Sequence, residues 1–449
     1  MKKFISLSLA IVLTISCVFS AGAISKEEVE NKWEYITTDD SAISIAPGAN
    51  GTEMCFAWMS EFFVENEFYY GLKEDLSDAK QAKVKESLTF FSKKECNVRL
   101  TELSPETTYY YRHTKDGVMS DIYSFKTDTD GEGFTALFVS DAQIGRSGDW
   151  EEYSVQLNDT TGWYNTLEIA TKENPDISFC LAAGDQANKH ENILYNLFMA
   201  PDLLRSLPTA VASGNHDDGS PYLGNHYYNA NEFSKTISPA GALKPYYFCR
   251  GNALFIVLDT NNEIMLDHEA LIEEAIETYP NTTWRVAMMH HGVYTCEDKG
   301  EENPNNRDKL VPMFEKYDID LVLSGHSHMY SRTYVMKNFE KAENGIVYIE
   351  GGCSSGCDCN LVPDPMPPQT ATGNTTDRLP TYTILTFSED EIGVKAYLVE
   401  NGETGEIRLI DNAVIKNNGR DDSNAKMSFV TKALQFILSI PNRFFSLFY

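Results

Sequence analysis

Five short segments of this 449-residue chain end in side chains suited to holding a hard or borderline metal ion. They are Ser140-Asp141-Ala142-Gln143, Gly184-Asp185-Gln186-Ala187-Asn188, Gly214-Asn215-His216-Asp217, His290-His291 and Gly325-His326-Ser327-His328. Each has an ordinary reading on its own, since an Asp after a strand commonly caps a helix and Gly-Asn commonly makes a turn. Five together, all delivering carboxylate, amide or imidazole donors, exceed what capping and turns account for. They predict divalent-metal chemistry that needs no cysteine thiolate.

Each segment follows a continuous apolar run: Phe134 to Val139, Ile177 to Ala183, Pro208 to Ala212, Arg285 to Met289 and Ile319 to Leu323. A further run, Leu254 to Leu258, lies among them. Unbroken apolar runs are the pattern of strands buried on both faces. With helical stretches such as His268 to Tyr279 between them, they predict an α/β layout. In such sheets ligands gather beyond the carboxyl ends of the strands, which is where the five segments fall. Upstream, from about Trp33 to Thr127, short alternating strands separated by Gly, Asp and Pro read as a small β-sandwich. Within it, Leu103 to Arg112 is similar to the tyrosine corner of fibronectin type III and immunoglobulin-like domains, with Tyr109 expected to bond back to the backbone. The expected division is a leader over 1–23, a sandwich over 30–128, an α/β domain over 131–413, a polar linker over 414–428 and an amphipathic tail over 429–449.

Lys2 and Lys3, the apolar stretch from Phe4 to Phe19 and Ala21-Gly22-Ala23 read as a cleaved signal peptide, giving a secreted or cell-surface protein. The apolar stretch is shorter than the ~20 residues of a membrane span, and Cys17 sits in a poor lipoprotein box. Eight cysteines follow the leader. An even number permits disulfides, above all among Cys353, Cys357 and Cys359, while buried free thiols are the other reading. Hydrophobic residues at 42% are enough for a real core and exclude wholesale disorder. Thirty-seven Lys and Arg against 66 Asp and Glu, a formal charge of −29, exclude a protein that coats nucleic acid. An anionic substrate would need concentrated positive charge at its site. In the tail, Val430, Ala433, Leu434, Ile437 and Leu438 recur at helical spacing, suiting a membrane surface, a partner or its own domain. Nothing in the sequence sets the oligomeric state.

The ordered set Asp-x-x, Gly-Asp, Gly-Asn-His-Asp, His and Gly-His-x-His resembles the calcineurin-like metallophosphoesterases. The likeness is to their purple-acid-phosphatase-like branch with an N-terminal fibronectin type III-like domain, and runs from about Ser41 to Glu400. It implies an α/β four-layer sandwich, two mixed sheets flanked by helices, with a two-metal site at one edge. Asp141 and His328 would hold the first metal, Asn215, His290 and His326 the second, and Asp185 would bridge them. Tyr294, four residues on, selects His290 over His291 as the ligand and leaves His291 a substrate-side or supporting role. His216 would stabilise the transition state or protonate the leaving group, with Asp217 orienting it. The chain departs from the family pattern at two places. Asn188 stands where purple phosphatases carry the tyrosine that colours ferric iron, and Gln143 stands where a His or Gly is usual, as a weak metal or water-holding ligand. A redox-neutral pair of Zn, Mn or Fe(II) is therefore expected.

The resemblance implies a hydrolase of small phosphate esters, acid-phosphatase-like, in which a metal-bridging hydroxide attacks phosphorus directly, and the leader implies that it is secreted. A phosphodiesterase or nucleotide hydrolase on the same site is one alternative. A surface-binding protein whose phosphatase-like domain is catalytically weakened is another. Substrate choice would lie in loops such as Gly219 to Ser234 and Gly292 to Asn306. Arg146 and His226 are further phosphate contacts to consider, each also readable as an ordinary loop residue.

Overall fold

Where apolar residues run unbroken the chain builds sheets covered on both faces. The computed structural model describes residues 23–417 apart from 90–92, 116, 129–130, 132, 239–240 and 297–303. The predicted leader up to residue 22, the linker beyond residue 417 and the tail over 429–449 lie outside the described residues. No helix among the described residues is long and apolar enough to cross a membrane.

The N-terminal all-β unit consists of two antiparallel sheets. One orders Ser44–Pro47, Met54–Glu61, Lys93–Leu100 and Lys85–Leu88; the other is centred on Thr108–Lys115, which pairs with Phe68–Gly71, Val118–Met119 and Tyr123–Lys126. Between them lie Phe56, Trp58, Phe68, Val98, Tyr111 and Phe125, with Phe68 stacked on Tyr111 at 5.4 Å. The Tyr109 hydroxyl accepts a hydrogen bond from the Ser104 amide at 2.9 Å, closing the corner.

The sandwich begins later than the sequence pattern placed it. Residues before Ser44 form two six-residue helices, Lys26–Asn31 and Trp33–Thr38, the first opened by a Ser25–Glu28 capping box. They pack on the helices Tyr153–Glu173 and Asn192–Phe198 of the α/β part. Helices this short show too few turns for a helical period to be legible.

All six apolar runs are strands. A six-stranded sheet orders Thr209–Val211, Ile177–Ala182, Phe134–Val139, Thr381–Phe387, Glu391–Asn401 and Glu406–Lys416, parallel among the first three and antiparallel thereafter. Its last strand runs past residue 414, where the sequence pattern suggested the start of a linker. A seven-stranded sheet has four parallel strands, Ala253–Val257, Trp284–His291, Leu321–Gly325 and Val347–Glu350, with antiparallel strands on either side. Phe255, Val257, Met288 and Leu323 face the core shared with the six-stranded sheet. Leu254, Ile256, Ala287 and Val322 face the other way, into the core that also buries residues of the helices Met265–Thr278 and Pro304–Lys316. Trp163 and Leu167 of Tyr153–Glu173 belong to the shared core. The result is helix, sheet, sheet, helix, with the parallel strands of both sheets opening at one edge.

Sandwich and α/β part share that core, which takes in Val29, Ile36, Ala46 and Cys55. At the junction, Tyr111 donates to the Arg205 carbonyl at 2.7 Å, and Arg250, almost fully buried, pairs with Asp128 at 2.7 Å. His226 is buried here, its carbonyl bonded by Ser44 and neither ring nitrogen meeting a partner among the described residues.

Burial pushes two imidazoles down, His113 to about 3 and His226 to about 4. Unfolded, both would bind protons near pH 6.5. Between pH 6.5 and 4 the unfolded chain therefore holds more protons, so this contribution is whole above pH 6.5 and is lost as pH falls through the folded values. Each histidine should cost about 1.4 kcal/mol per pH unit inside that window. Urea unfolding at pH 7 and pH 5 measures it, and equal stability at both would contradict the assignment.

Candidate metal centre

The first three parallel strands of the six-stranded sheet and two from the neighbouring sheet end at the open edge, and each delivers one of the predicted segments. Five of the seven predicted metal ligands, Asp141, Gln143, Asp185, His326 and His328, have φ between +34° and +82°. Residues other than glycine rarely adopt this left-handed region, and where they do the surrounding structure must impose it. The glycines beside them meet a different demand, that of close approach. A Cβ on Gly214 would lie 2.0 Å from Asp185 Oδ1, and one on Gly325 would lie 2.4 Å from Asp141 Oδ2. In sequence these glycines look like turn residues, but in space they make room for the carboxylates.

Asp185 is central and buried. Its Oδ1 accepts the His216 amide at 2.8 Å, while its Oδ2 accepts Gln143 Nε2 at 3.2 Å and lies 3.3 Å from His290 Nε2. The Asp141 carboxylate accepts the His326 amide at 3.0 Å and sits 3.5 Å from His328 Nε2. Asn215 Oδ1 is 3.1 Å from His290 Nε2 and 2.9 Å from His326 Nδ1. The His290 Nδ1–H points to the Ala183 carbonyl at 2.8 Å, which leaves Nε2 as the donor atom toward the site. Ligand atoms of Asp141, Asp185 and His290 lie within 4.8 Å of one another, as do those of His290, His291 and His326.

The donor set fits a pair of cations. Asp141 and Asp185 are 0% and 1% exposed, and among the described residues neither pairs with a Lys or Arg. Two buried carboxylates without a fixed counter-charge are costly, and a bound dication removes that cost. Gln143 Oε1 is buried without a hydrogen-bond partner beside Asp185, an orphaned acceptor of the kind a metal or its water would satisfy. Burial alone would lower both imidazoles, but Asp185 and then Asp141 outweigh it at His290, lifting it to about 10, and Asp141 lifts His328 to about 9.

The remaining predicted residues divide. His291 Nδ1 meets Thr260 Oγ1 at 2.9 Å, and burial together with the His290 and His326 charges pushes it down to about 3. His216 is partly exposed at the mouth, with Nδ1 3.0 Å from the Asn188 carbonyl. Asp217 does not orient it. That carboxylate is fully buried and accepts Gly214 N at 3.0 Å, Gln186 N at 3.2 Å and the Tyr195 hydroxyl at 3.1 Å, so it ties the Gly-Asn-His-Asp turn to the Gly-Asp loop. Asn188 turns its side-chain amide to the Gly145 carbonyl at 3.0 Å. His226 is no phosphate contact, being sealed in the domain junction. Arg146 lies on the Gln143 loop and pairs with Asp358 at 3.2 Å.

Two supports were not visible in the sequence. Thr260 fixes His291 from the end of the fourth apolar run, where Asp259-Thr260 was the available signal. Glu350, at the end of Val347–Glu350, accepts Ser327 at 2.6 Å and Ser331 at 3.2 Å, gripping the His-Ser-His turn from below. Its own strand carries no chemical residue that would have drawn attention to it.

Residues 119–330 match the model of the calcineurin-like phosphoesterases, and residues 41–127 that of the purple acid phosphatase N-terminal domain. Purple acid phosphatase 23 of Arabidopsis thaliana is 26% identical over 310 residues, covering 60% of this chain and 65% of that protein. Probable inactive purple acid phosphatase 24 of the same plant is 25% identical, covering 52% of this chain and 43% of its own length. The chain thus spans less than two thirds of these relatives. Among solved structures, the purple acid phosphatase PPD1 from yellow lupin seeds superposes with a TM-score of 0.66 at 16% identity, covering 88% of this chain and 77% of that one. The structure of PhoD gives 0.55 at 10%, covering 91% and 99%. The chain carries a calcineurin-like metallophosphoesterase domain behind a purple acid phosphatase N-terminal domain, and is homologous to the purple acid phosphatases.

Because His290 and His328 hold protons up to about pH 10 and 9, a metal ion must displace them to bind. Apparent Mn²⁺ affinity should therefore rise from pH 6 to pH 8, by up to ~10-fold per unit for each proton displaced. Titrations at three pH values measure this, and a flat profile would exclude these histidines as ligands.

Proposed function

We propose that this protein is an exported phosphoesterase with a dinuclear metal centre, acting on small phosphate monoesters. The observation that supports it most is the meeting of Asp141, Asp185, Asn215, His290, His326 and His328, from five strand ends, at 2.9–3.5 Å. Asp141, Gln143 and His328 would hold the first metal ion, Asn215, His290 and His326 the second, and Asp185 both. Two divalent ions about 3.5–4 Å apart would supply an activated water and neutralise the phosphoryl oxygens. Their charge is the local positive field that an anionic substrate requires on a chain of −29.

The protein's own part is to hold the phosphate ester at the open edge and to manage the proton of the leaving oxygen. His216 is placed to supply that proton, since its Nδ1 is anchored on the Asn188 carbonyl and its Nε2 has no protein partner among the described residues. An imidazole there can donate to the departing alkoxide. His291, neutral and held by Thr260, suits a hydrogen bond to a phosphoryl oxygen. Export is supported by the leader pattern of Lys2, Lys3 and the apolar run to Phe19.

A second reading keeps the site and weakens the chemistry. Gln143 and Asn188 depart from the family pattern, and two relatives are named probable inactive purple acid phosphatases. Metal content together with turnover separates the two readings: fewer than two metal ions per chain and no hydrolysis would favour binding over catalysis.

Asp185→Asn should abolish hydrolysis of p-nitrophenyl phosphate and reduce the metal content per chain, as read by elemental analysis. His216→Ala should lower kcat by roughly 10²–10⁴ on alkyl phosphates with poor leaving groups. The loss should be much smaller on p-nitrophenyl phosphate, whose phenolate leaves without a proton. Equal losses on both would remove His216 from the acid role.

A further inference from the structure

Directly behind Asp141 lies a buried pair of thiols that the metal chemistry does not use. Cys353 follows the strand Val347–Glu350 and forms a parallel bridge with Ser140, reinforced by the Ser354 amide donating to the Ser140 carbonyl at 2.9 Å. The chain then turns through Ser355 and Gly356, the latter at φ +75°, and returns Cys357 against its partner. The Cys357 amide donates to Cys353 Sγ at 2.9 Å. Cys357 Sγ is 3.9 Å from the carbonyl oxygen of Asp141 itself. Both cysteines are 0% exposed, whereas Cys359 is partly exposed.

The turn is seated firmly. Thr166 donates to the Ser354 carbonyl at 2.6 Å, and a Cβ on Gly162 would lie 2.0 Å from the Ser355 oxygen. Cys353 and Cys357 are the two cysteines that this turn brings into contact.

We propose that Cys353 and Cys357 form a disulfide that fastens the 353–357 turn beneath Asp141 and so holds the first-metal side of the site. The two thiols give up two protons and two electrons to a small-molecule disulfide of the glutathione type, which leaves as two thiols. The exchange takes place before the turn packs, because the finished site buries both sulfurs. The cross-link stands independently of the metal reading; its effect on metal binding rests on that reading.

The test equilibrates the full chain with glutathione and its disulfide during folding, blocks remaining thiols in denaturant and maps the peptides by mass without reduction. The expected product joins Cys353 to Cys357, lighter by two hydrogens, with Cys359 alkylated. Alkylation of both buried cysteines at every redox ratio, or a bridge to Cys359, overturns the proposal. Mn²⁺ titration then compares the oxidised chain with Cys357→Ser and Cys359→Ser. One of two sites should weaken by about tenfold in Cys357→Ser only, the scale of losing a support behind a metal ligand. Unchanged affinity in Cys357→Ser, with the bridge present in the parent, overturns the holding role. Absence of Mn²⁺ binding in every form, bridge included, counts against the metal centre and leaves the cross-link standing.

Discussion

Two carboxylates buried without a fixed counter-charge govern this molecule. Asp141 and Asp185 are removed from water at the edge of two packed sheets, and among the described residues imidazoles, amides, backbone N–H groups and the Ser140 hydroxyl answer them. Such a centre is tolerable with protons on the histidines or with metal ions in their place. The loop geometry around it serves to keep these groups from drifting apart. Left-handed backbone aims the candidate ligands, glycines let carboxylates pass within contact distance, and Asp217, Thr260 and Glu350 lash neighbouring loops together.

The same constraint explains why the supporting sheets are doubly covered. A strand that is apolar on both faces leaves its polar side chains to its ends, so chemistry is concentrated where the sheet stops. Within the seven-stranded sheet, successive residues of one strand serve opposite cores, Phe255 and Val257 inward, Leu254 and Ile256 outward. Slipping the register by one residue would exchange those faces and carry His290 away from Asp185. Precision at the site is thus inherited from packing some distance away.

Much of this was legible in the chain before folding. Continuous apolar runs marked six strands, because a strand covered on both faces has no polar alternation to blur it. The five strand-end segments could be read because their residue types are chemically unlike a core. What escaped was whatever acts through space without an unusual residue type. Glu350 sits at the end of an ordinary strand, and its partners Ser327 and Ser331 are distant in sequence. The resemblance implied that Asp217 orients His216, yet the turn points it inward to Gly214 and Gln186. His226 was open to reading as an anion contact for the same reason: sequence reports identity and leaves direction unstated. The helices before Ser44 were too short to show a period.

The junction between the β-unit and the α/β part has a consequence for how the protein can be divided. Val29, Ile36, Ala46 and Cys55 share one continuous core with the sheets that carry the candidate ligands, and Arg250 is locked against Asp128 across the boundary. The amino-terminal unit is thus less an appended module than a retaining wall. An α/β fragment cut away at the interdomain connection would carry a raw apolar flank and a stranded guanidinium, so excision there yields a sticky remnant instead of a minimal metallophosphoesterase domain.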